Sequence, residues 1–204
     1  CPAPTASQMG EKISMSVVLE TAARIVAAVP LPLTVDFEGA FAVTPGEVRD
    51  NVTRLISTGA IGLNFEDQRV SGEGLYTVAE QVARIQAVRA AADAAGVPLV
   101  INARCDVFLK ERENPAMHFA AVMSRAAAYA GAGADCFFIP MRKNDLDLIA
   151  RICAQSPLPV NVMHMGPPSE IADLAAAGVA RVSHGQIPWM AAMAKLSDQA
   201  RSAL

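Results

Sequence analysis

The chain has 204 residues, of which 52% are hydrophobic and 18% are charged, a composition typical of a globular domain and not of a disordered segment. Its formal net charge of −3 at pH 7 leaves no excess of basic residues, so we predict that it does not bind nucleic acid. No apolar stretch approaches the roughly 20 residues that cross a bilayer, and no charged-then-apolar leader is visible, so we predict neither a membrane span nor a signal peptide.

Six short apolar runs, rich in β-branched and aromatic residues, are typical of parallel strands that are buried on both faces. In chain order they are Leu33–Phe37, Ala60–Phe65, Val97–Asn102, Asp135–Ile139, Pro159–Met163 and Val179–Ser183. Segments with helical periodicity alternate with these runs, and they are Ser14–Val29, Val78–Ala95, Pro115–Ala130, Asn144–Ala154 and Ser169–Ala177. The region around Trp189, Met190 and Met193 predicts one more amphipathic helix with a packed apolar side. This alternation predicts repeated βαβ units around a parallel sheet.

Two architectures contain such a sheet: the open doubly wound fold and the closed (β/α)8 TIM-type barrel. The sequence has no glycine-rich nucleotide fingerprint after its first strand and no GxxxxGK motif. Polar or ionisable residues instead follow nearly every strand, which is typical of a barrel. We therefore predict an α/β fold, a single (β/α) barrel domain over residues 1–204. Because a barrel needs eight strands, we expect the first two strands and one helix to lie outside this sequence.

The cysteines of the chain are scattered and form no CxxC pair. They are Cys1, Cys105, Cys136 and Cys153. Their apolar neighbours predict buried thiols and not a disulfide framework. This cysteine usage indicates a reducing compartment, so we expect the protein to be cytoplasmic.

Acidic side chains form the strongest cluster of chemistry-bearing residues. Asp36 and Glu38 lie two residues apart at the end of the first strand, and Glu66 and Asp67 follow the second. Clustered carboxylates repel one another unless a hard cation such as Mg²⁺ binds among them, directly or through water. The alternative is that these acids cap the helices that follow. We favour capping for Asp67 and a metal site for Asp36, Glu38 and Glu66.

Arg104 ends the third strand on the same edge of the predicted sheet. An arginine there suits a bidentate grip on a substrate carboxylate or phosphonate. An internal ion pair with Asp106 or Glu66 is an equally good interpretation of the spacing. The polar segment Asp67–Tyr76 carries two glycines directly after the acidic strand end, which indicates either a lid or an ordinary mobile loop.

Several ordered segments of the chain resemble one enzyme superfamily. They are Val35–Gly39, Gly62–Asp67, Val82–Ala92 with Leu99–Arg104, Ala128–Asp135 and Pro159–Val162. Their order and spacing resemble the isocitrate lyase/phosphoenolpyruvate mutase superfamily. Within it, the chain is most similar to the short bacterial members that resemble carboxyvinyl-carboxyphosphonate phosphorylmutase or oxaloacetate decarboxylase.

The resemblance implies a Mg²⁺-dependent lyase or decarboxylase, with Mn²⁺ as the alternative ion. Such an enzyme cleaves a C–C bond next to a 2-oxo or 2-hydroxy carboxylate through a metal-stabilised enolate. By position, Asp36, Glu38 and Glu66 match the metal-side acids of the family, and Asp36 and Glu66 are also assigned to catalysis. Arg104 matches the catalytic arginine that anchors the substrate, and Asn161 is assigned to substrate binding. The expected partners are a small carboxylic acid and further copies of the chain, since family members are usually homo-oligomers.

Departures from the family motifs narrow the activity. Isocitrate and methylisocitrate lyases carry a Lys-x-Cys-Gly-His loop where this chain has Gln68–Gly74, which contains neither Cys nor His. The Lys-Thr-Asn loop of the phosphonate enzymes is absent as well. We therefore expect a lyase that is not a typical isocitrate or methylisocitrate lyase. Two alternatives stay open: a degenerate member that binds a carboxylate or a partner without turnover, and a mutase or hydrolase that acts on a phosphonate P–C bond.

Overall fold

The structure is a computed structural model that describes residues 13–69, 73–111, 113–141 and 144–202. Its centre is a parallel sheet of six strands that lie side by side in chain order and curl into a half-barrel. The strands are β1 Thr34–Asp36, β2 Gly62–Glu66, β3 Val100–Arg104, β4 Cys136–Ile139, β5 Val160–Met163 and β6 Arg181–Ser183. Every predicted run overlaps one of these strands, so the prediction of an α/β fold with six parallel strands is confirmed.

Helices connect the strands and cover the sheet. They are α1 Met15–Ala28, α2 Pro45–Ile56, α3 Val78–Ala95, the single turn α4 Val107–Lys110, α5 Phe119–Gly131, α6 Leu146–Gln155, α7 Glu170–Ala176 and α8 Ile187–Ser202. A 3₁₀ turn at Pro115–His118 leads into α5. None of the helices in the described ranges is long and apolar enough to cross a membrane.

Helix α2 is an addition to the predicted elements, although its sequence carries a clear start signal. The Thr44 side chain accepts a hydrogen bond from the backbone N–H of Glu47, and the Glu47 carboxylate accepts one from the backbone N–H of Thr44. This reciprocal capping box, with Pro45 in the first turn, is the pattern that begins many helices. The Thr-Pro-Gly-Glu run at residues 44–47 was therefore sufficient to predict α2.

The strand interiors form the core. Leu63, Phe65, Ile101, Phe137 and Val162 are each at most 1% exposed. Alternate residues of these strands point to opposite faces, and both faces are buried, as expected for a parallel sheet covered by helices. Because every strand pairs in parallel with the next, all six carboxyl ends lie at one edge of the sheet.

The strand register brings predicted site residues into one row across this edge. Glu66 is paired with Arg104, Arg104 with Phe138, and Phe138 with Asn161. Glu66 and Arg104 are therefore on neighbouring strands, whereas Asn161 is two strands away from Arg104.

The predicted C-terminal helix is present, but packing of its apolar side is not seen in the described part of the chain. Helix α8 forms, but no residue in it is buried, and the exposed fraction of Trp189 is 65%. The preceding strand β6 is itself only half-buried and is the last strand of the sheet in the described part of the chain. The apolar side of α8 thus has no sheet surface beneath it. Closure into an eight-stranded barrel, with further strands outside this sequence, stays a prediction.

Candidate active site at the carboxyl edge of the sheet

Arg104 lies at the centre of the carboxyl edge and pairs with two carboxylates. Its Nε and Nη2 atoms donate to the two carboxylate oxygens of Asp106 at 2.6 and 2.9 Å. Its Nη1 atom lies 2.7 Å from Oε2 of Glu66. The internal ion pair suggested by the spacing is therefore present, and it involves both acids. Attraction by Asp106 and Glu66 outweighs burial, which by itself lowers the pKa of Arg104, so this pKa is raised and Arg104 stays charged.

Glu66 is a buried acid with a strongly raised pKa. It is 7% exposed, and burial raises its pKa to about 8 against the opposing attraction of Arg104. Repulsion from Asp106, Asp36 and Glu38 adds to the rise. These carboxylates are therefore close enough to act on one another. A carboxyl group that exchanges its proton near neutral pH in such a cluster is typical of a functional site.

The loop that follows β1 carries Asp36 and Glu38 in an unusual backbone conformation. Glu38, Ala40 and Phe41 have positive φ angles of 48°, 61° and 53°, in the left-handed region that favours glycine. Asp36 is exposed and Glu38 is half-buried. Strained backbone is found mainly at functional sites, where the surrounding structure holds it in place.

The donor set of this edge fits a hard cation that keeps part of its water shell. No three His, Cys, Asp or Glu side chains in the described ranges are close enough together to hold a metal ion directly. Mg²⁺, however, usually keeps several waters and uses only one or two carboxylates. The mutual repulsion of Asp36, Glu38 and Glu66 is what such an ion would relieve. These acids fit Mg²⁺ held mainly through water.

Asp67 has a structural role, but it is not the predicted helix cap. It is 0% exposed; one carboxylate oxygen accepts from the backbone N–H of Asp106 at 2.8 Å. The other accepts from the Tyr129 hydroxyl at 2.7 Å and from Arg125 at 3.0 Å. Burial raises the pKa of Asp67 to about 6 despite these hydrogen bonds. Helix α3 is capped by Thr77 instead, so Asp67 joins three elements of the fold beneath the site.

Asn161 is completely buried, and its side chain is hydrogen-bonded to Ser183. Its Nδ2 atom donates to the Ser183 hydroxyl at 3.1 Å. The Ser183 hydroxyl in turn lies 3.3 Å from Oδ1 of Asn161. The assignment of Asn161 to substrate binding stays a prediction, and Asn161 lies two strands away from Arg104.

The two ends of the candidate lid, the segment Asp67–Tyr76, are held together by hydrogen bonds. The backbone N–H of Tyr76 donates to the Asp67 carbonyl at 2.8 Å, and Gln68 pairs with Leu75 in an antiparallel bridge. Arg69 pairs with Glu80 of α3 at 3.0 Å. Residues 70–72 of this segment lie outside the described residues, and a lid function stays a prediction.

Arg84 of α3 contacts the site although it was not among the candidate residues. It is 1% exposed and donates hydrogen bonds to three carbonyl groups of the β1–α2 loop. The signal in the sequence was an arginine in register with Ile85 and Val88 on the buried face of α3. A charged residue in a buried helical stripe needs polar partners, so it marks a place where backbone carbonyls approach the helix.

Comparison with known proteins gives a consistent group of relatives. A sequence profile of the family described as phosphoenolpyruvate phosphomutase matches residues 5–204. An uncharacterized protein of Mycobacterium tuberculosis is 33% identical over 83% of this chain and 60% of its own. The 2-methylisocitrate lyase of Salmonella typhimurium is 32% identical over 73% of this chain and 50% of its own. The chain thus spans 50 to 60% of the length of these curated relatives.

Solved structures agree in fold along most of the chain. The crystal structure of a proposed phosphonomutase from Burkholderia cenocepacia is 42% identical and superposes with a TM-score of 0.90, over 95% of this chain and 78% of the other. A phosphonopyruvate hydrolase, crystallised in complex with oxalate and Mg²⁺, is 26% identical with a TM-score of 0.79, over 93% of this chain and 66% of the other.

Proposed function

The chain belongs to the phosphoenolpyruvate phosphomutase family, and on that premise we propose that it is a Mg²⁺-dependent lyase of small carboxylic acids. The reaction is cleavage of a C–C bond next to a 2-oxo or 2-hydroxy carboxylate, through an enolate. The observation that carries this proposal is the convergence of Arg104 with Glu66, Asp36 and Glu38 at one edge of the sheet. The six parallel strands form a half-barrel, and in the (β/α)8 barrels that it resembles the active sites lie at this edge.

Asp36, Glu38 and Glu66 are the residues that would hold the cation, mainly through its water ligands. When bound, Mg²⁺ would supply positive charge where the negative charge of an enolate develops. The acids would also make binding selective, because they repel an anionic substrate that arrives without a cation. Mn²⁺, which takes similar oxygen ligands, is the alternative ion.

Arg104 is the residue that orients the substrate carboxylate. An arginine has five N–H donors, and the contacts to Asp106 and Glu66 among the described residues use three of them. One N–H on each terminal nitrogen is therefore left for a substrate oxygen. The Arg104 side chain is 18% exposed whereas that of Asp106 is fully buried, so Asp106 fixes the guanidinium and its open end meets the ligand.

Glu66 is suited to move a proton. Burial raises the pKa of Glu66, which favours a carboxyl group that can carry a proton. In a lyase reaction the enolate must be protonated after the bond breaks, and Glu66 lies beside the arginine that anchors the substrate. We assign this role to Glu66. The positive charge of Arg104 favours the ionised form of Glu66 and so opposes its protonation.

The relatives support this class of chemistry. The Salmonella protein is named a 2-methylisocitrate lyase, and the phosphonopyruvate hydrolase was crystallised with Mg²⁺ and oxalate. Oxalate is a planar dianion that resembles the enolate of a 2-oxo acid. We therefore propose that this chain also binds oxalate together with Mg²⁺.

A second candidate function is cleavage or rearrangement of a phosphonate P–C bond. The family description and the 42% identical structure of a proposed phosphonomutase favour it. The absence of the Lys-Thr-Asn loop from the sequence disfavours it. Product analysis separates the two reactions, because only the phosphonate hydrolase reaction releases inorganic phosphate and only the C–C lyase releases a second carbon fragment.

The first test is calorimetric titration with oxalate, with and without Mg²⁺. We expect binding that requires Mg²⁺ in the wild type and is lost in Asp36→Ala. Asp50→Ala is the matched control, because Asp50 is an exposed acid of α2 and its loss changes the net charge by the same amount. Absence of binding in the wild type would contradict the proposal. Binding without turnover of any oxo acid would favour the degenerate member.

We also propose that the chain assembles as a homo-oligomer. The exposed apolar residues of α8 support this, and they are Trp189, Met190, Met193 and Leu196. Several large apolar side chains exposed on one helix are typical of an interface. Sedimentation velocity measures the state directly, and a monomer at all concentrations would contradict the expectation.

A further inference from the structure

We propose that Gln81 and Arg84 of α3 are positioning residues for the acidic site. Together they fix the loop that carries Glu38 against the strand end that carries Glu66. The spacing of these acids, and with it the affinity for a divalent cation, would then depend on α3. The inference rests on the proposed function, because the cation is the one that the proposed lyase needs.

The β1–α2 loop needs external support. Glu38, Ala40 and Phe41 all adopt left-handed backbone conformations that disfavour side chains with a Cβ atom. A loop with three such residues relaxes unless its carbonyl groups are held. Asn51 of α2 holds one of them, since its Nδ2 atom donates to the Ala40 carbonyl at 2.9 Å.

Arg84 holds most of the remaining loop. Its Nη2 atom donates to the Gly39 carbonyl at 2.8 Å. Its Nη1 atom donates to the carbonyls of Ala42 at 2.9 Å and Val43 at 2.7 Å. One planar guanidinium thus sets the relative positions of three peptide groups in the loop.

Gln81 connects this loop to the end of β2. Its Oε1 atom accepts from Nε of Arg84 at 3.1 Å, and its Nε2 atom donates to the Glu66 carbonyl at 3.1 Å. The backbone N–H of Glu66 donates to the Glu38 carbonyl at 3.0 Å. A closed circuit of hydrogen bonds therefore runs from Glu38 to Glu66, then to Gln81, Arg84 and back to the loop. Both acid-bearing backbone segments are members of it.

The Arg84 guanidinium is enclosed by hydrogen-bond acceptors and aromatic rings in this position. Arg84 is 1% exposed and Gln81 is 0% exposed. The guanidinium carbon lies 4.1 Å from the ring centroid of Tyr76 and 5.1 Å from that of Phe65. A lysine keeps the positive charge but has no planar fork, so it cannot contact all three carbonyls and Gln81 in the same geometry. Arg84→Lys therefore keeps the positive charge but removes the hydrogen bonds that position the loop.

Arg89 provides a matched control on the same helix. It is also an arginine that donates to backbone carbonyls, of Leu99 and Gly133, at 2.8 to 3.2 Å. It lies at the opposite edge of the sheet, where β3 and β4 begin. Arg89→Lys makes the same chemical change in the same helix without touching the acidic edge.

The experiment compares wild type, Arg84→Lys, Gln81→Met and Arg89→Lys. Calorimetry measures the Mg²⁺ dependence of oxalate binding, and urea unfolding measures stability. Hydrogen exchange of the metal-free proteins reports on the peptide that covers residues 37–43. We expect Arg84→Lys and Gln81→Met to lose roughly tenfold in Mg²⁺ affinity, as is typical when a residue that orients metal-side groups is removed. We also expect faster exchange in residues 37–43 for Arg84→Lys, and neither change in Arg89→Lys.

The outcomes separate the two proposals. Wild type that binds no Mg²⁺ or oxalate overturns the proposed function, and the positioning role for a cation with it. If the wild type binds Mg²⁺ and oxalate, and Arg84→Lys and Gln81→Met bind them equally well, only the positioning role is overturned. Equal losses of affinity in the Arg84 and Arg89 variants also overturn it, because they would show a general effect of destabilising α3. If Arg84→Lys does not fold, Gln81→Met provides the test, since it removes the link between Arg84 and the Glu66 carbonyl and leaves the contacts of Arg84 to the loop carbonyls.

Discussion

The two edges of the sheet each contain an arginine–carboxylate pair, and they use it differently. At the amino edge, where the strands begin, Arg89 lies 2.6 Å from Asp135. Asp135 also accepts a hydrogen bond from the backbone N–H of Ile101 at 2.7 Å. At the carboxyl edge Arg104 lies equally close to Asp106, at 2.6 Å.

The surroundings of the two pairs differ. The other donors of Arg89 go to neutral backbone carbonyls, whereas Arg104 has a second carboxylate, Glu66, as partner. Asp36 and Glu38 lie near enough to Glu66 to raise its pKa. At the amino edge the charges of Arg89 and Asp135 thus balance, and the pair joins α3 to the starts of β3 and β4. The carboxyl edge retains excess negative charge. An ion pair by itself therefore does not mark a site, whereas uncompensated charge around the pair does.

The largest effect is expected from Arg104→Met. Removing the cation leaves Asp106 and Glu66 as buried carboxylates without their partner, which costs about 3 kcal/mol of unfolding free energy. We also expect oxalate affinity to fall by roughly a hundredfold, because the substrate loses its charged donor. Urea unfolding and calorimetry measure the two effects. Unchanged oxalate binding would show that Arg104 is only structural and would remove the contrast between the edges.

Asp67→Asn should have the next largest effect, on stability. Asp67 accepts from Arg125, Tyr129 and the backbone N–H of Asp106 in a fully buried position. Replacing the carboxylate weakens a charged network, at a cost of about 2 kcal/mol. Tyr129→Phe, which removes one hydrogen bond of the same network, should cost about 1 kcal/mol. If Asp67→Asn were as stable as wild type in urea, the network beneath the site would not be structural.

Arg89→Met tests whether the ion pair at the amino edge affects ligand binding at the carboxyl edge. Arg89 and Asp135 have side-chain exposures of 25% and 45%, so solvent screens their attraction. We expect a loss of about 1 kcal/mol of unfolding free energy and oxalate affinity within twofold of wild type. A large loss of oxalate binding in Arg89→Met would mean that the two edges are coupled, and the division of roles would fail.

The smallest effect is expected from Arg69→Ala. Arg69 pairs with Glu80 at 3.0 Å on the rim of the carboxyl edge, where both side chains are substantially exposed. Such pairs contribute little to stability, so we expect no measurable change in the urea midpoint. A clear change in oxalate affinity would instead identify the segment Asp67–Tyr76 as part of the binding site.

The sequence predicted most of the fold for a simple reason. The strands are short, buried on both faces and separated by periodic helices, so each element is visible in a local window. The strand ends were equally visible, and they carried Asp36, Glu38, Glu66 and Arg104. Helix α2 was also predictable, because its capping box lies within four residues at Thr44–Glu47.

Contacts between distant residues were not predictable in this way. Arg84 meets carbonyls 41 to 45 positions away, and Asp67 meets Tyr129 at a separation of 62. Local spacing favoured a capping role for Asp67, but the tertiary structure places its carboxylate against α5. The amphipathic pattern of α8 correctly predicted a helix, but periodicity does not state which surface covers its apolar side.

The amino-acid sequence by itself determined the order of strands and helices and the chemistry at the strand ends, because periodicity and turn residues act over a few neighbours. The tertiary structure decided which charges meet. Parallel pairing in chain order placed Glu66 beside Arg104, and burial then raised the pKa of Glu66. Burial and charge proximity depend on the whole fold, and for that reason the contacts of Arg84 and Asp67 and the raised pKa of Glu66 were visible only in the packed molecule.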